Sequence, residues 1–473
     1  MSTIEQGYIP LGPVESFRPG YLEFGPQPGP ENREEALVLA CLKSAVAGTD
    51  YLFGKQLRSY FYPHNVPNVA ILEAAKKNPQ ILSSYTNVRF RDGLLEAIPY
   101  HITYAADIEE RIIPWLDAAA SHTSDQEFAN YLAAVINEFQ NGQEAHEEAI
   151  ATWLSRGDEP EFDFVGGAID RYLDRRFNRK FAFQAWTGRV DRPFTRFLQD
   201  FTNHQTEVWP ELAPAYAPKD PLIVVRADIT EVYGGLARDI KPSANNLPCE
   251  QPLRDRYGSK ITFFLPAHTE LMRQQRIPLL RKIIRYDIRR EWSAEELAIA
   301  GFMLLASHEA SHSYIRRPGD EENLGRYYIY MNEMYASVLG LALIGLREDI
   351  AEDTKEQILA LYFANVADNY QQNLTDQRRV DYYDGLATVF NWLVDKGFQI
   401  DGDGHIKWHD YRQIYKELTS FAKNLELYVT NGSQQIAAQL RANGRQSDGI
   451  RRLAPFRDNS KATEHDTLLV AGQ

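Results

Sequence analysis

The sequence predicts a mainly helical α+β protein with a small β region near its middle. Three observations carry this. Stretches on both sides of the centre place apolar residues at helical spacing, most clearly in Gln126–Phe139 (QEFANYLAAVINEF). After Asp220 the character changes: PLIVVRADITEVYG is rich in β-branched residues and reads as strand, and so does SKITFFLP from Ser259. At 473 residues the chain is long enough for a large core and for two lobes.

Residues 1–33 are rich in Pro and Gly (IPLGPVESFRPG, GPQPGPEN) and read as an irregular extension. A mostly helical region follows, from Arg33 to about Arg156. Between the two expected strands, KPSANNLPCEQ reads as a loop. From Leu279 to about Leu440 the chain is again helical, with a turn at Asp401–Gly404. The tail from Asn443 is polar and irregular. No internal repeat is visible.

Apolar residues make up 44% and charged residues 25%, as in ordinary globular proteins. A formal net charge of −14 argues against nucleic-acid binding, which needs a basic footprint to neutralise phosphates. Two cysteines, Cys41 and Cys249, cannot build a disulfide framework or a Cys-rich metal site, and suggest a reduced, intracellular protein. The start, MSTIEQGYIP, lacks a basic segment followed by an apolar run, so no signal peptide is expected. The longest apolar stretch, about Val338–Leu346, is far short of the ~20 residues of a membrane span. The expected location is the cytoplasm, with neither membrane nor nucleic acid as partner.

His308-Glu309-Ala310-Ser311-His312 is an HExxH motif. Residues i and i+4 share a helix face, so both imidazoles can reach one ion, and Glu309 can hydrogen-bond a water held there. The context agrees. Ser293 and Glu296 form a capping-box pattern, AEELAIAGFMLLASHEASHSYI is continuously helical, and Pro318-Gly319 ends it. Glu333, 25 positions after His308, opens a run of small and apolar residues, ASVLGLALIGL. A second helix packed on the first can then supply a third ligand. Two His and one Glu, with one position left for water, is the gluzincin arrangement for Zn2+, one ion per chain. Glu309 is the expected general base.

Other signals are weaker. Asp401-Gly402-Asp403-Gly404-His405 resembles half a calcium loop, but Ile406 stands where Gly is required and Arg412 where Glu is required, so a plain turn is expected. His405 and His409 have i,i+4 spacing on a segment that reads as strand or irregular chain. His146 reads as a surface helix residue. The chain has no Walker loop, nucleophile elbow or dinucleotide fingerprint.

These residues resemble those of dipeptidyl peptidase III, especially its short bacterial-type members. Most members carry a six-residue HExxGH motif, and some the five-residue form found here as HEASH. The family's second motif, EExxA followed by Glu or Asp, is similar to Asn332–Ser337 (NEMYAS), its zinc-binding Glu falling on Glu333. SSYTNVRFRDGLLEAIPYHITY is similar to an N-terminal segment of the family. VGGAIDRYLDRRFNRKFAFQAW resembles its GPxExYxD stretch. ADITEVYGG with ANNLPCEQPLRDRYGSK resembles its ADI and NLPN segments, and GLATVFNWLVDKGF a later helix. About residues 80–440 are covered.

The resemblance implies a two-lobed fold with a wide cleft, a helical zinc-bearing upper lobe and a lower lobe containing a small β-barrel. The implied division puts residues 34–190, about 221–270 and 443–473 in the lower lobe, and about 191–220 with 271–442 in the upper. It also implies removal of dipeptides from the N-termini of short peptides. Tyr172 matches the tyrosine that hydrogen-bonds the scissile carbonyl, Asp170 the Glu that holds the substrate's amine, and Asn246 an Asn that binds the peptide backbone. Cys249 stands at a second cleft Asn, Ser337 at the acid ending the second motif, and Asn332 before the zinc ligand. Tyr382 or Tyr383 falls where the family has a cleft histidine. The altered substrate shell opens a second reading, a related zinc enzyme acting on a non-peptide small molecule. An intact Glu309 argues against a purely peptide-binding protein, which needs no base.

Overall fold

The computed structural model describes residues 33–156, 160–208, 212, 223–289, 292–315, 320–373, 380–430, 434–445 and 449–456, except 172, 175, 178 and 395, together with the pairs 7–8 and 25–26. Beyond its N-terminal stretch the chain divides into two compact units. The first joins Glu23–Gln199 to Leu222–Ala267, the second Asp200–Pro221 to His268–Gln473.

In the first unit α1 (Arg33–Ser59) buries Val38, Leu42, Ala45, Leu52 and Phe53 along one face, the repeat its sequence offers. A hairpin follows, β1 (Thr86–Arg91) and β2 (Leu94–Pro99). Its turn is Asp92-Gly93, with φ of 49° and 83°, the pair of positive values that a tight turn between twisted strands requires. This hairpin interrupts what the sequence presents as a helical region. After three shorter helical segments between Tyr100 and His122 come helices α2 (Gln126–Asn141) and α3 (Gln143–Ser155), the first capped by Asp125, whose Oδ1 accepts from Phe128 N at 3.0 Å.

Five strands form a curled half-barrel: β3 (Phe162–Asp170), β4 (Ala182–Val190), β5 (Ile223–Gly235), β6 (Ala244–Leu247) and β7 (Ser259–Phe264), in the order β3-β4-β5-β7-β6. All pairs are antiparallel except β5 with β7. Both strands read from β-branched composition are present. The expected loop KPSANNLPCEQ contains the short β6, because Ala244–Leu247 pairs with β7. Helix α1 packs on this sheet, and Leu42, Phe53, Phe164 and Trp186 are buried in the shared core.

The second unit is helical. Its main elements are the C-terminal part of α4 (Arg192–Val208), then α5 (Ala294–Ile315), α6 (Tyr328–Leu346), α7 (Glu352–Asn373), α8 (Val380–Leu393), α9 (Tyr411–Thr430) and α10 (Gln434–Arg445). The capping box at the start of α5 is formed: Ser293 N donates to Glu296 Oε2 at 2.8 Å, and Glu296 N to Ser293 Oγ at 3.1 Å. Pro318-Gly319 lies outside the described residues. Helix α6 is apolar on every side because α5, α8 and α9 surround it. By length and composition Arg33–Ser59 and Gly325–Leu346 could each cross a membrane, which the short apolar run at 338–346 does not suggest. The apolar window of the second is 78% buried, as in a core helix.

The Asp401–Gly404 segment is a plain turn: Asp401 Oδ1 accepts from Asp403 N at 3.0 Å and His405 N at 2.9 Å, closing the hairpin Gln399–Ile400 with Ile406–Lys407. Residues 443–445 and 449–456, expected with the lower lobe, pack instead within the second unit. Gly444 O accepts from Asn391 Nδ2 at 2.7 Å, and Ala454 N donates to Gly404 O at 2.9 Å.

Candidate metal centre

One helical turn separates His308 from His312 on α5, and their rings meet at 83° with centroids 4.7 Å apart. Their Nε2 atoms lie 3.2 Å from each other. Glu333 reaches the same point from α6, its Oε2 3.3 Å from His308 Nε2 and 3.6 Å from His312 Nε2. Zinc binds such ligands at about 2.0–2.1 Å, and two corners of a tetrahedron of that radius are about 3.3–3.4 Å apart. The three atoms therefore form a triangle of the size that one face of a zinc tetrahedron requires. Among the described residues they are also the group of this kind able to hold a metal ion. Glu333 Oε2 is buried and accepts no hydrogen bond from the described residues, an expensive state for a carboxylate oxygen unless a cation satisfies it. The residues fit the ion.

The electrostatics agree. Burial opposes a charge on His308, yet the Glu333 carboxylate lifts its pKa above the ordinary value. Burial alone would raise Glu333, but the imidazoles of His312 and His308 hold it well below the usual carboxylate range. Glu309 follows His308 on α5 and is half-buried, its charge adding to the negative field at His308.

Backbone contact between α5 and α6 sets this geometry. Ser307 Oγ donates to Gly340 O at 2.7 Å, and a Cβ at Gly340 would lie 2.9 Å from the Ser307 carbonyl. Only glycine allows so close a crossing, and two turns before Gly340 it brings Glu333 opposite His308. Ser311 Oγ and Gln205 Nε2 of α4 both donate to Ser307 O, at 2.7 and 3.0 Å. Ser337, one turn after Glu333, places its Oγ 3.1 Å from His308 Nδ1. With an ion held at Nε2, His308 would carry its proton on Nδ1 and donate it to Ser337 Oγ. Gly340 and Ser337 shape the candidate site, and motif reading registers Ser337 only as a departure and does not single out Gly340. Their signal was the run of small residues after Glu333.

The remaining expected residues have other surroundings. Tyr172 lies outside the described residues. Asp170 ends β3, is buried, and its Oδ1 accepts from Arg171 N at 3.2 Å. Asn246, buried in β6 opposite Ile261, accepts from Arg254 Nη2 at 3.1 Å. Both belong to the first unit, and the metal triad to the second. Tyr382 and Tyr383 are half-buried on α8. The ring of Tyr383 is 5.7 Å from that of Tyr370, and burial raises the pKa of its phenol. Cys41 and Cys249 are not joined in a disulfide. His405 sits 3.7 Å from Asp401 in its hairpin and joins no metal group among the described residues. His146 is not a surface residue: it is held between Glu138 and Glu250, at 2.8 and 3.2 Å.

No family model and no curated protein matches the chain. Solved structures do. Dipeptidyl peptidase III from Caldithrix abyssi is similar over 90% of this chain and 93% of its own, with a TM-score of 0.76 and 20% identity. Dipeptidyl peptidase III from Corallococcus sp. strain EGB is similar over 94% of this chain and 95% of its own, with a TM-score of 0.79 and 17% identity. Likeness at such low identity is a statement about architecture: the chain has the fold of the bacterial dipeptidyl peptidase III structures.

Proposed function

We propose that this protein is a zinc-dependent peptidase that removes dipeptides from the N-termini of short peptides. The observation that carries the reading is the triangle of His308 Nε2, His312 Nε2 and Glu333 Oε2, with Glu309 beside it. The fold shared with dipeptidyl peptidase III structures supports the reaction class. Bound at the triangle, zinc supplies a Lewis acid and brings the pKa of a water from 15.7 to about 7. Glu309 takes the proton from the attacking water and passes it to the leaving amine. By the resemblance, Tyr172 donates a hydrogen bond to the developing oxyanion, Asp170 holds the substrate's ammonium group, and Asn246 binds the peptide backbone.

A second reading rests on the substrate shell. Cys249 replaces an amide. Tyr382 and Tyr383 stand where a histidine is expected, and a phenol near pH 7 does not carry that residue's charge. Asp170 is one methylene shorter than Glu. These changes favour a small non-peptide substrate for the same metal chemistry.

The test begins with metal. Elemental analysis is expected to give about one zinc per chain, as a three-ligand site implies. Replacing His308, His312 or Glu333 by Ala should lower zinc content, and replacing His405 or His409 should not. Glu309→Gln should keep the metal while turnover falls by about 10²–10⁴. Zinc-loaded protein is then given dipeptide-naphthylamides with free and with acetylated amines. Cleavage of the free forms alone supports the peptidase. A folded, zinc-loaded protein that cleaves none moves the assignment to a non-peptide substrate, and absence of zinc on titration removes both readings.

A further inference from the structure

We propose that the first unit holds a second binding site, for a small organic ammonium ion, in a cavity beside Glu138. The site is independent of the metal centre, and no expected catalytic residue lines it. The cavity measures about 330 Å³, within the range of small-molecule pockets. Its walls are the segment leading into β1, the junction of α2 with α3, and Gly166–Ala168 of β3, a strand at the edge of its sheet. Asn141, Gln143 and Glu144 are exposed at its rim, so solvent reaches it.

The chemistry of the lining selects the ligand. Tyr85, Tyr100, Phe139 and Phe183 supply aromatic surface, and among the described lining residues there is no Lys or Arg. Glu138 is the half-buried carboxylate. Its Oε1 accepts from His146 Nδ1 at 2.8 Å, and its second oxygen has no partner among the described residues. Behind it a smaller chamber of about 40 Å³ shares Tyr85, Glu138, Gly166 and Ala168 with the first and contains His146 and Glu250. His146 Nε2 lies 3.2 Å from Glu250 Oε1, and the Tyr85 phenol donates to the same oxygen. Burial works against a charged His146, but the Glu138 and Glu250 carboxylates lift its pKa to about 10. Two carboxylates therefore face one imidazolium, and one negative charge is left over.

Behind the wall lies Lys180, which is fully buried. Its Nζ is committed to Ser83 O and Thr86 Oγ1 at 2.8 and 2.6 Å, and burial lowers its pKa to about 7. It does not neutralise the surplus. A primary ammonium group can donate to the open Glu138 oxygen while its apolar body lies against the rings, where cation–π attraction adds to the ion pair. A neutral ligand can lie against the rings but brings neither the ion pair nor the cation–π attraction, and an anion is repelled by the carboxylate.

The probe is phenethylammonium, titrated calorimetrically into the full-length protein, with N-acetylphenethylamine as the neutral control. Saturable binding of about one per chain is expected for the amine. Glu138→Gln should weaken it by about 10- to 100-fold, the value of a charge-assisted hydrogen bond. Because Glu138 also pairs with His146, thermal unfolding accompanies that variant. A second variant, Asn141→Trp, narrows the mouth from an exposed position and keeps the charge, and it too should weaken binding. His308→Ala should leave binding unchanged. Absence of saturable binding, equal binding of the acetylated probe, indifference to both cavity variants, or loss of binding in His308→Ala each overturns the proposal.

Discussion

Ser337 shows how one side chain would tune a bound metal without touching it. Ligation through His308 Nε2 requires a proton on Nδ1, and a proton there needs an acceptor. Ser337 Oγ, 3.1 Å away, is that acceptor. A carboxylate, which the family's second motif has at this position, would accept more strongly and make the imidazole a more basic ligand. A hydroxyl fixes the ring but polarises it less. Ser337→Ala should therefore weaken zinc binding by about 10- to 100-fold, while the helix around it stays folded. Ser337→Asp should recover the loss or exceed it. Competition with a chromogenic chelator measures both. Equal zinc affinity in Ser337→Ala and the parent would mean that the ring is held by packing alone. Motif reading finds His308, His312 and Glu333 because their spacing is tied to the chemistry. It registers Ser337 only as a departure, because a serine on an apolar helix has no distinctive pattern.

Among the elements, the pair α5 and α6 carries the site, and its precision comes from a contact between backbones. Ser307 Oγ donates to Gly340 O, and nothing larger than hydrogen fits at Gly340 without displacing the Ser307 carbonyl. Side chains relax when crowded, but the backbone of a packed helix shifts as a whole. Gly340→Ala should accordingly cost about 1–3 kcal/mol of stability, the usual penalty of overpacking. It should lower zinc affinity as well, since a shift of α6 carries Glu333 with it. Urea unfolding and the chelator assay read the two effects. A stability loss with unchanged zinc affinity would show that Glu333 follows α5 independently of the crossing. The β elements were harder to read. The turn Asp92-Gly93 is a strong hairpin signal, but the surrounding sequence has helical composition. In β3 and β4, both faces are buried, so Phe162–Asp170 and Ala182–Val190 lack the alternation that marks a half-exposed strand.

At the scale of the whole molecule, fold class was legible because long periodic helices dominate, whereas the course of the tail was not: 443–456 is polar, and polar segments dock through backbone contacts such as Ala454 N to Gly404 O that leave no pattern in sequence. The metal centre makes a prediction at this scale too. Its three candidate ligands come from two helices of one unit, and Glu333 Oε2 is buried without a hydrogen-bond partner among the described residues. Without a cation, the Glu333 carboxylate and the two imidazoles are left to pair with one another. An ion that binds the folded chain and not the unfolded one adds stability by mass action, about 4.1 kcal/mol when free metal is a thousandfold above its dissociation constant. Stripping the protein with a chelator should thus lower its unfolding temperature, and adding zinc back should restore it. The effect should disappear in Glu333→Ala and persist in Glu309→Gln, because Glu309 is not one of the three candidate ligands. Calorimetric scans of the three proteins, each in chelator and with added zinc, decide the matter. A parent protein that melts at the same temperature in chelator and in excess zinc would show that the triangle of His308, His312 and Glu333 holds no metal.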